Sequence, residues 1–455
     1  MSLSNLRRFS PGLNDDAETQ NAETIINIDT GDADENGLPI DTSDVPEADI
    51  AGAEEETAVA VEAQSTAEDA GESVDNLDKV EEALECLHRE RRGPTAMEAM
   101  LIDHLANGAI SKLYPAASRE QRLSGVFGSG LNSIAGADHS MVVAALNETK
   151  KGIGDTLKEW IRKVVEFFKG IGKAITKWLS GSAKLSGRAD EILKRANGEL
   201  ANTSASGKKV QLNNPGIIRS GQANKGEKAV GLAAAEFRDF LKTNLVDGNM
   251  YKEASKGVVD LAGGADAKSL SDADVKSNME KIVAGATKAM GAQAGRSSTQ
   301  HIGGLETGIV HNVEEYRLTA YARRHEVTET GEWDVLTKES IVQLATAAKA
   351  IISHVQSYQD GWKERDRLRG EWEKTANKIS SENASDHKGE KDDGMIKKFK
   401  TKRKIAKEAG TTLMSVQGFE NSILGHGLKV AAGLLDYCDK SLKVLDKKDD
   451  KDDKK

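Results

Sequence analysis

The stretch Thr149 to Leu179, TKKGIGDTLKEWIRKVVEFFKGIGKAITKWL, constrains this chain more than any other. Ile153, Leu157, Trp160, Ile161, Val164, Phe168, Ile171, Ile175 and Trp178 recur at steps of three and four, which puts them on one side of a helix. Lys158, Arg162, Lys163, Lys169, Lys173 and Lys177 fill most of the remaining arc, tempered by Asp155, Glu159 and Glu166. At 1.5 Å per residue the helix is ~45 Å long. Leaving each large side chain in water forgoes roughly 1.5–3 kcal/mol, so the stripe needs a cover. Three covers are open: later helices of the same chain, a partner, or a lipid interface, which suits a Lys-rich helix with Trp and Phe opposite. The first is the expectation. Gly170 and Gly172 each weaken an isolated helix by about 1 kcal/mol, which favours a helix that forms in contact with something.

Composition narrows what could supply that cover. Aromatic residues are 4% of the chain and charged residues 30%, which points to thin helical cores rather than broad sheet sandwiches. With no run of eighteen uncharged apolar residues, no membrane-spanning helix is expected, and MSLSNLRRF lacks the apolar centre of a secretion signal. Cys86 and Cys438 read as two isolated buried thiols, not a disulfide, which suits a reducing cytoplasm. The net charge of −10 is unevenly spread. Residues 2–78 hold two basic and 21 acidic residues, leaving 61 basic and 52 acidic in 79–455, a balance of +9. An acidic front on a basic body changes its partners if the front is removed.

These features predict a mainly α fold. Long amphipathic helices form an elongated bundle, with a small α+β insertion and a disordered acidic N-terminus. Residues 1–78, rich in Asp, Glu, Ala, Thr and Gly, bury too little apolar surface to offset chain entropy. Residues 79–148 hold two helices parted at Gly93-Pro94, then a Gly/Ser/Ala-rich connector over 114–147. Residues 149–202 give a helix pair broken at Ser180-Gly181-Ser182, and 203–335 a mixed module punctuated by Asn213-Asn214-Pro215-Gly216. Residues 336–446 read as two long antiparallel helices, and 447–455 as a charged tail.

Candidate chemistry is sparse. None of the nine histidines shares a predicted element with Cys, Asp or Glu at a metal-ligand spacing. The Gly-rich runs lack the Lys-Ser/Thr of a P-loop, and neither G-x-S-x-G nor H-E-x-x-H occurs. No enzymatic activity, cofactor or metal is expected. The densest basic run, Lys397, Lys398, Lys400, Lys402, Arg403, Lys404 and Lys407, reads either as a solvated helix face or as a sequence-independent phosphate contact.

The acidic front, the run ALNETKKGIGDTLKEWIRKVVEFFKGIGKAITKWL and the following KLSGRADEILKRA, with Leu185, Arg188, Ala189, Ile192, Arg195 and Ala196, resemble the internal head proteins of large tailed bacteriophages. The likeness is strongest over residues 125–200. It implies a non-enzymatic protein, made in the host bacterial cytoplasm and packaged inside the head with double-stranded DNA. Its partners there are the capsid interior and other head proteins, and ejection with the genome is an extension of the same reading. It also implies a propeptide removed by a prohead protease that cuts after Glu in small/aliphatic-x-Glu. Glu72, Glu85, Glu98, Glu120 and Glu148 close such triplets, and position favours Glu148. The alternatives are a membrane-active amphipathic helix, working in genome delivery or as a toxin, and a sequence-independent DNA-binding protein.

Overall fold

The computed structural model describes residues 45–113, 136–200, 206–219, 227–267, 271–290, 298–325, 332–381 and 393–446. The chain is mainly helical. Its long helices are α1 (Val45–Glu90), α2 (Ala96–Leu113) and α3 (His139–Asn197), followed by α4 (Glu227–Leu241), α5 (Gly257–Ala267) and α6 (Asp272–Ala289). Five short strands accompany them: β1 (Lys209–Gln211), β2 (Ser298–Gln300), β3 (Leu305–Asn312), β4 (Arg317–Arg324) and β5 (Glu332–Asp334). Then come α7 (Lys338–Ser357), α8 (Trp362–Ser381) and α9 (Asp393–Leu445). Two compact units result, one containing Asp69–Trp160 and the other Val45–Glu68 with Ile161 onward.

Helix α1 corrects the first expectation. Residues 45–78, assigned to a disordered arm, are helical and run without a break into Glu90; residues 1–44 lie outside the described part. The signal is a seven-residue repeat of small side chains. Ala53, Ala60, Ala67 and Val74 are buried seven apart, and Ala70, Leu77 and Leu84 repeat the interval three residues later. A seven-residue apolar repeat is a helix-packing seam, and alanine at its positions lets a neighbouring backbone come close. In the second unit Ala60 lies against Gly170 of α3, where an added Cβ would sit 3.4 Å from the alanine methyl.

In the unit containing Asp69–Trp160, the C-terminal half of α1 packs with α2 and the start of α3. Its core holds Leu77, Val80, Leu84, Leu87, Ile102, Ile110, Val142 and Ile153. The predicted break at Gly93-Pro94 falls between α1 and α2, where Arg91 turns the chain with φ 51°. Helix α3 differs twice from expectation. It starts at His139, inside the presumed connector, and continues through Ser180-Gly181-Ser182. Ser182 is fully buried, and its hydroxyl donates to the Leu179 carbonyl at 2.6 Å, so the helix absorbs the polar group instead of breaking. Cys438 is buried as expected, whereas Cys86 is exposed on α1, and both thiols are free.

In the second unit α9 is buried on nearly every side, the mark of a central core helix, and carries polar side chains such as Glu408, Glu420 and His426 into that core. The segment 336–381 is two α-helices and not one, because a turn of 3-10 helix, Tyr358–Gly361, interrupts the α-helical bonding between α7 and α8. Both run antiparallel to α9: Leu336 N–H reaches Ser441, the Cys438 thiol meets the Ile341 carbonyl, and the Trp372 indole N–H donates to the Ala406 carbonyl at 2.9 Å. The strands form two small antiparallel sheets, β1-β5 and β2-β3-β4, with Ile309 opposite Ala320 in the larger one. Strand β4 is an edge. Its Leu318 carbonyl accepts from Thr412, and its Ala320 N–H donates to Ser415, both on α9. An edge covered in this way is protected from pairing with another chain.

Candidate functional site

The amphipathic face of α3 is spent inside the protein. Ile153, Leu157, Trp160, Ile161, Val164, Phe168, Ile171, Ile175 and Trp178 are all at most 6% exposed. Trp178 fills the space above Gly425 of α9, where an added Cβ would come within 2.6 Å of its ring, and its indole N–H donates to Asn421 at 3.2 Å. Such a face offers nothing to a lipid surface while the chain is folded. Among the described residues no helix is long and apolar enough to cross a membrane.

Helices α8 and α9 bring together the strongest polar cluster. Arg365 forks onto Glu420, with Nη2–Oε1 at 2.8 Å and Nε–Oε2 at 3.0 Å. The Tyr358 hydroxyl donates to the same carboxylate at 2.8 Å and accepts from Gln417 at 2.6 Å. The guanidinium also lies 4.3 Å from the Tyr358 ring centroid and 4.9 Å from that of Tyr251. Tyr251 is placed there by one of two π-turns, Tyr251–Lys256, that follow α4. Burial pulls the Arg365 pKa down, but the Glu420 charge outweighs it and the guanidinium stays protonated. Burial pushes the Tyr251 hydroxyl up to about 12 and raises Tyr358 well above the ordinary phenol value. The adjoining cavity is about 20 Å³, room for one water molecule and not for an organic ligand. Arg365, Glu420 and Tyr358 are thus committed to one another, and the cluster is a clasp between helices. Sequence periodicity gave no sign of it, because Glu420 and Arg365 are polar residues on otherwise apolar faces.

A second cluster surrounds two buried histidines. His426 on α9 donates Nε2–H to the Ile302 carbonyl at 2.7 Å, while its Nδ1 meets no partner. His301 lies 2.8 Å from the Thr307 hydroxyl, with its ring 4.2 Å from that of Phe240. Burial lowers both pKa values to about 4, helped for His301 by the facing His426. Among the described residues no group of three or more His, Cys, Asp or Glu side chains could hold a metal ion.

The basic run at the start of α9 is not one exposed face. Lys398 is exposed, and Lys400, Lys402 and Lys404 are half-buried, Lys404 standing over Tyr316. The Lys397 side chain lies outside the described ones. Arg403 and Lys407 are buried, Arg403 against Phe399 and Lys407 3.2 Å from the equally buried Glu408, so neither can meet a phosphate. This corrects the reading of Arg403 and Lys407 as members of an exposed basic face. Charge accounting changes as well: with α1 part of the fold, residues 45–455 hold 61 basic and 63 acidic residues, a balance of −2.

The candidate cleavage glutamates sit mostly in helices. Glu72 and Glu85 lie within α1, paired with Lys112 and Lys150, and Glu148 lies within α3. Glu98 closes a cap at the start of α2, accepting from the Thr95 amide at 2.8 Å and from Arg92 through both oxygens. Arg92 and the Thr95 contacts hold its carboxyl down at about 2. Glu120 lies outside the described residues.

What these residues define is a helical structural protein whose buried polar groups lock its helices together. The chain belongs to the phiKZ-like phage internal head proteins: the sequence model of that family matches residues 47–440. Membership places it in the phage virion, within the head. No curated protein and no solved structure matches it.

The histidine cluster makes stability depend on pH. Both imidazoles are neutral in the fold, whereas the unfolded chain protonates near pH 6.5. Their contribution is therefore complete above about pH 6.5 and is lost as pH falls toward about 4. At ~1.4 kcal/mol per pKa unit this amounts to roughly 3 kcal/mol for each ring. Urea midpoints measured between pH 7 and 5 should fall, and the fall should flatten in His301→Gln/His426→Gln. A flat wild-type profile would contradict the assignment.

Proposed function

We propose that the protein is packed into the head with the genome and lies along double-stranded DNA through the outer face of α3. The supporting observation is a row of exposed or outward-facing cations. Arg162, Lys169, Lys173 and Lys184 are exposed and seven, four and eleven residues apart, which returns them to one side of a helix over ~33 Å. Lys169 and Lys173 have no carboxylate partner among the described residues, while Arg162 is shared with Glu166. Point charges on flexible stems suit phosphate contact without base reading. Because residues 45–455 are close to neutral, attraction to DNA is a property of this row and not of a cationic body.

Processing, in this reading, is confined to the chain before Val45. A protease needs accessible, unbonded backbone, and cutting at Glu72, Glu85 or Glu148 would sever a packed helix. The family match begins at residue 47, within α1, and so includes nearly all of that helix. Loss of residues 1–44 removes two basic and ten acidic residues and leaves every described helix intact.

Two outcomes are expected. Replacing Lys169 and Lys173 with alanine lowers the slope of log affinity for duplex DNA against log salt by ~0.9 per lysine, with the urea midpoint unchanged. Arg403→Ala and Lys407→Ala, which empty buried positions, do the reverse; equal effects at all four positions would place the contact elsewhere. The intact mass of the protein from purified virions should include residue 45, and an N-terminus at residue 149 would overturn the processing scheme.

A further inference from the structure

Residues 52–64 of α1 occupy a groove that α3 and α9 form in the second unit, and its chemistry is specific. The floor lacks side-chain volume. A Cβ added at Gly170 would lie 3.4 Å from Ala60, and one at Gly418 would lie 3.4 Å from Gln64. The rim is cationic: Lys177 sits 3.0 Å from Glu56 and donates to the Gly52 carbonyl at 3.3 Å, and Lys429 pairs with Glu54. Between floor and rim, Asn421 donates to the Thr57 hydroxyl at 3.1 Å while accepting from Trp178. The occupant that fits is a helix with small residues on one edge and carboxylates on both flanks.

We propose that this groove is an exchangeable docking site for an acidic, alanine-faced helix, filled within one chain by its own residues 52–64 and between chains by the same segment of a second copy. Charge complementarity identifies the occupant, and weak retention makes exchange feasible. Ala53, Ala60 and Ala67 each bury about one methyl group, worth ~0.8 kcal/mol apiece. The Lys177–Glu56 pair keeps 43% and 26% of its side chains exposed, so salt screens it. A second copy offers an identical groove, so exchange conserves every contact, as in other segment swaps between identical chains. Because α1 continues into residues 69–90 of the first unit, an exchanged segment stays tethered to its own chain and links the two copies.

Cysteine trapping in the full chain tests this, with Cys86→Ser throughout and the buried Cys438 left in place. The Cβ separation of 3.4 Å at Ala60 and Gly170 is close to that of a disulfide. Under diamide, the double variant Ala60→Cys/Gly170→Cys should close within one chain. Equal amounts of the A60C chain and the G170C chain are mixed in about 0.5 M salt, where charges beyond a few ångströms are screened, then returned to low salt and oxidised. A mixed disulfide dimer severalfold above the homodimers of either chain alone is the expected result. A mixed dimer no more abundant than those homodimers, while the double variant closes, would overturn exchange. Failure of the double variant to close would overturn the groove itself. The readout involves no DNA and is separate from the test of the α3 row.

Discussion

A helix buried on nearly all sides must hand each of its polar side chains to a particular neighbour, and α9 does this along its length. Glu408 takes Arg317, Thr412 and Ser415 take the open edge of β4, Glu420 takes Arg365 and Tyr358, and Ser441 takes the Leu336 amide. Apolar contact alone would let α7, α8 and the small sheet slide along α9 at little cost. An unmade hydrogen bond to a buried group costs ~1–3 kcal/mol, and an unpaired buried charge costs more. The ladder therefore sets the register of the elements around α9. The π-turn that delivers Tyr251 to Arg365 shows the chain deforming locally to complete it.

The long apolar periodicities were legible without coordinates. The stripe of α3 predicts a buried face, and the spacing of Leu77, Val80, Leu84 and Leu87 predicts the C-terminal half of α1, because large side chains make a strong contrast against charged neighbours. The N-terminal half of α1 escaped for a physical reason. Alanine adds little to any hydropathy contrast, so Ala53, Ala60 and Ala67 among eleven acids in residues 45–78 look like a solvated tail. Each buries little area, Ala60 packs closely on Gly170, and only the seven-residue interval gives the seam away. The supposed break at Ser180-Gly181-Ser182 failed similarly: small polar residues end an isolated helix but suit one with neighbours pressed against it.

The candidate surfaces divide along the same line. Counting charge in sequence favours the run from Lys397 to Lys407, yet α9 needs Arg403 and Lys407 inside. The row on α3 is sparser in sequence but faces outward, since the opposite side of that helix is committed to the core. The clasp of Arg365, Glu420 and Tyr358 is built from residues 55 and 62 positions apart, and no local pattern announces it. Acidic residues of the N-terminal half of α1 do meet positive side chains, Glu56 at Lys177 and Glu54 at Lys429, from within a packed helix and not as a detached mask.

Everything turns on whether the acidic, alanine-spaced segment is part of the folded core. Amide hydrogen exchange of the full chain at neutral pH and low salt measures this directly. Peptides spanning residues 53–67 should be protected by several orders of magnitude relative to free peptide, as a helix bonded along its length requires. Exchange of those amides at free-peptide rates, with α3 and α9 protected, would contradict the account.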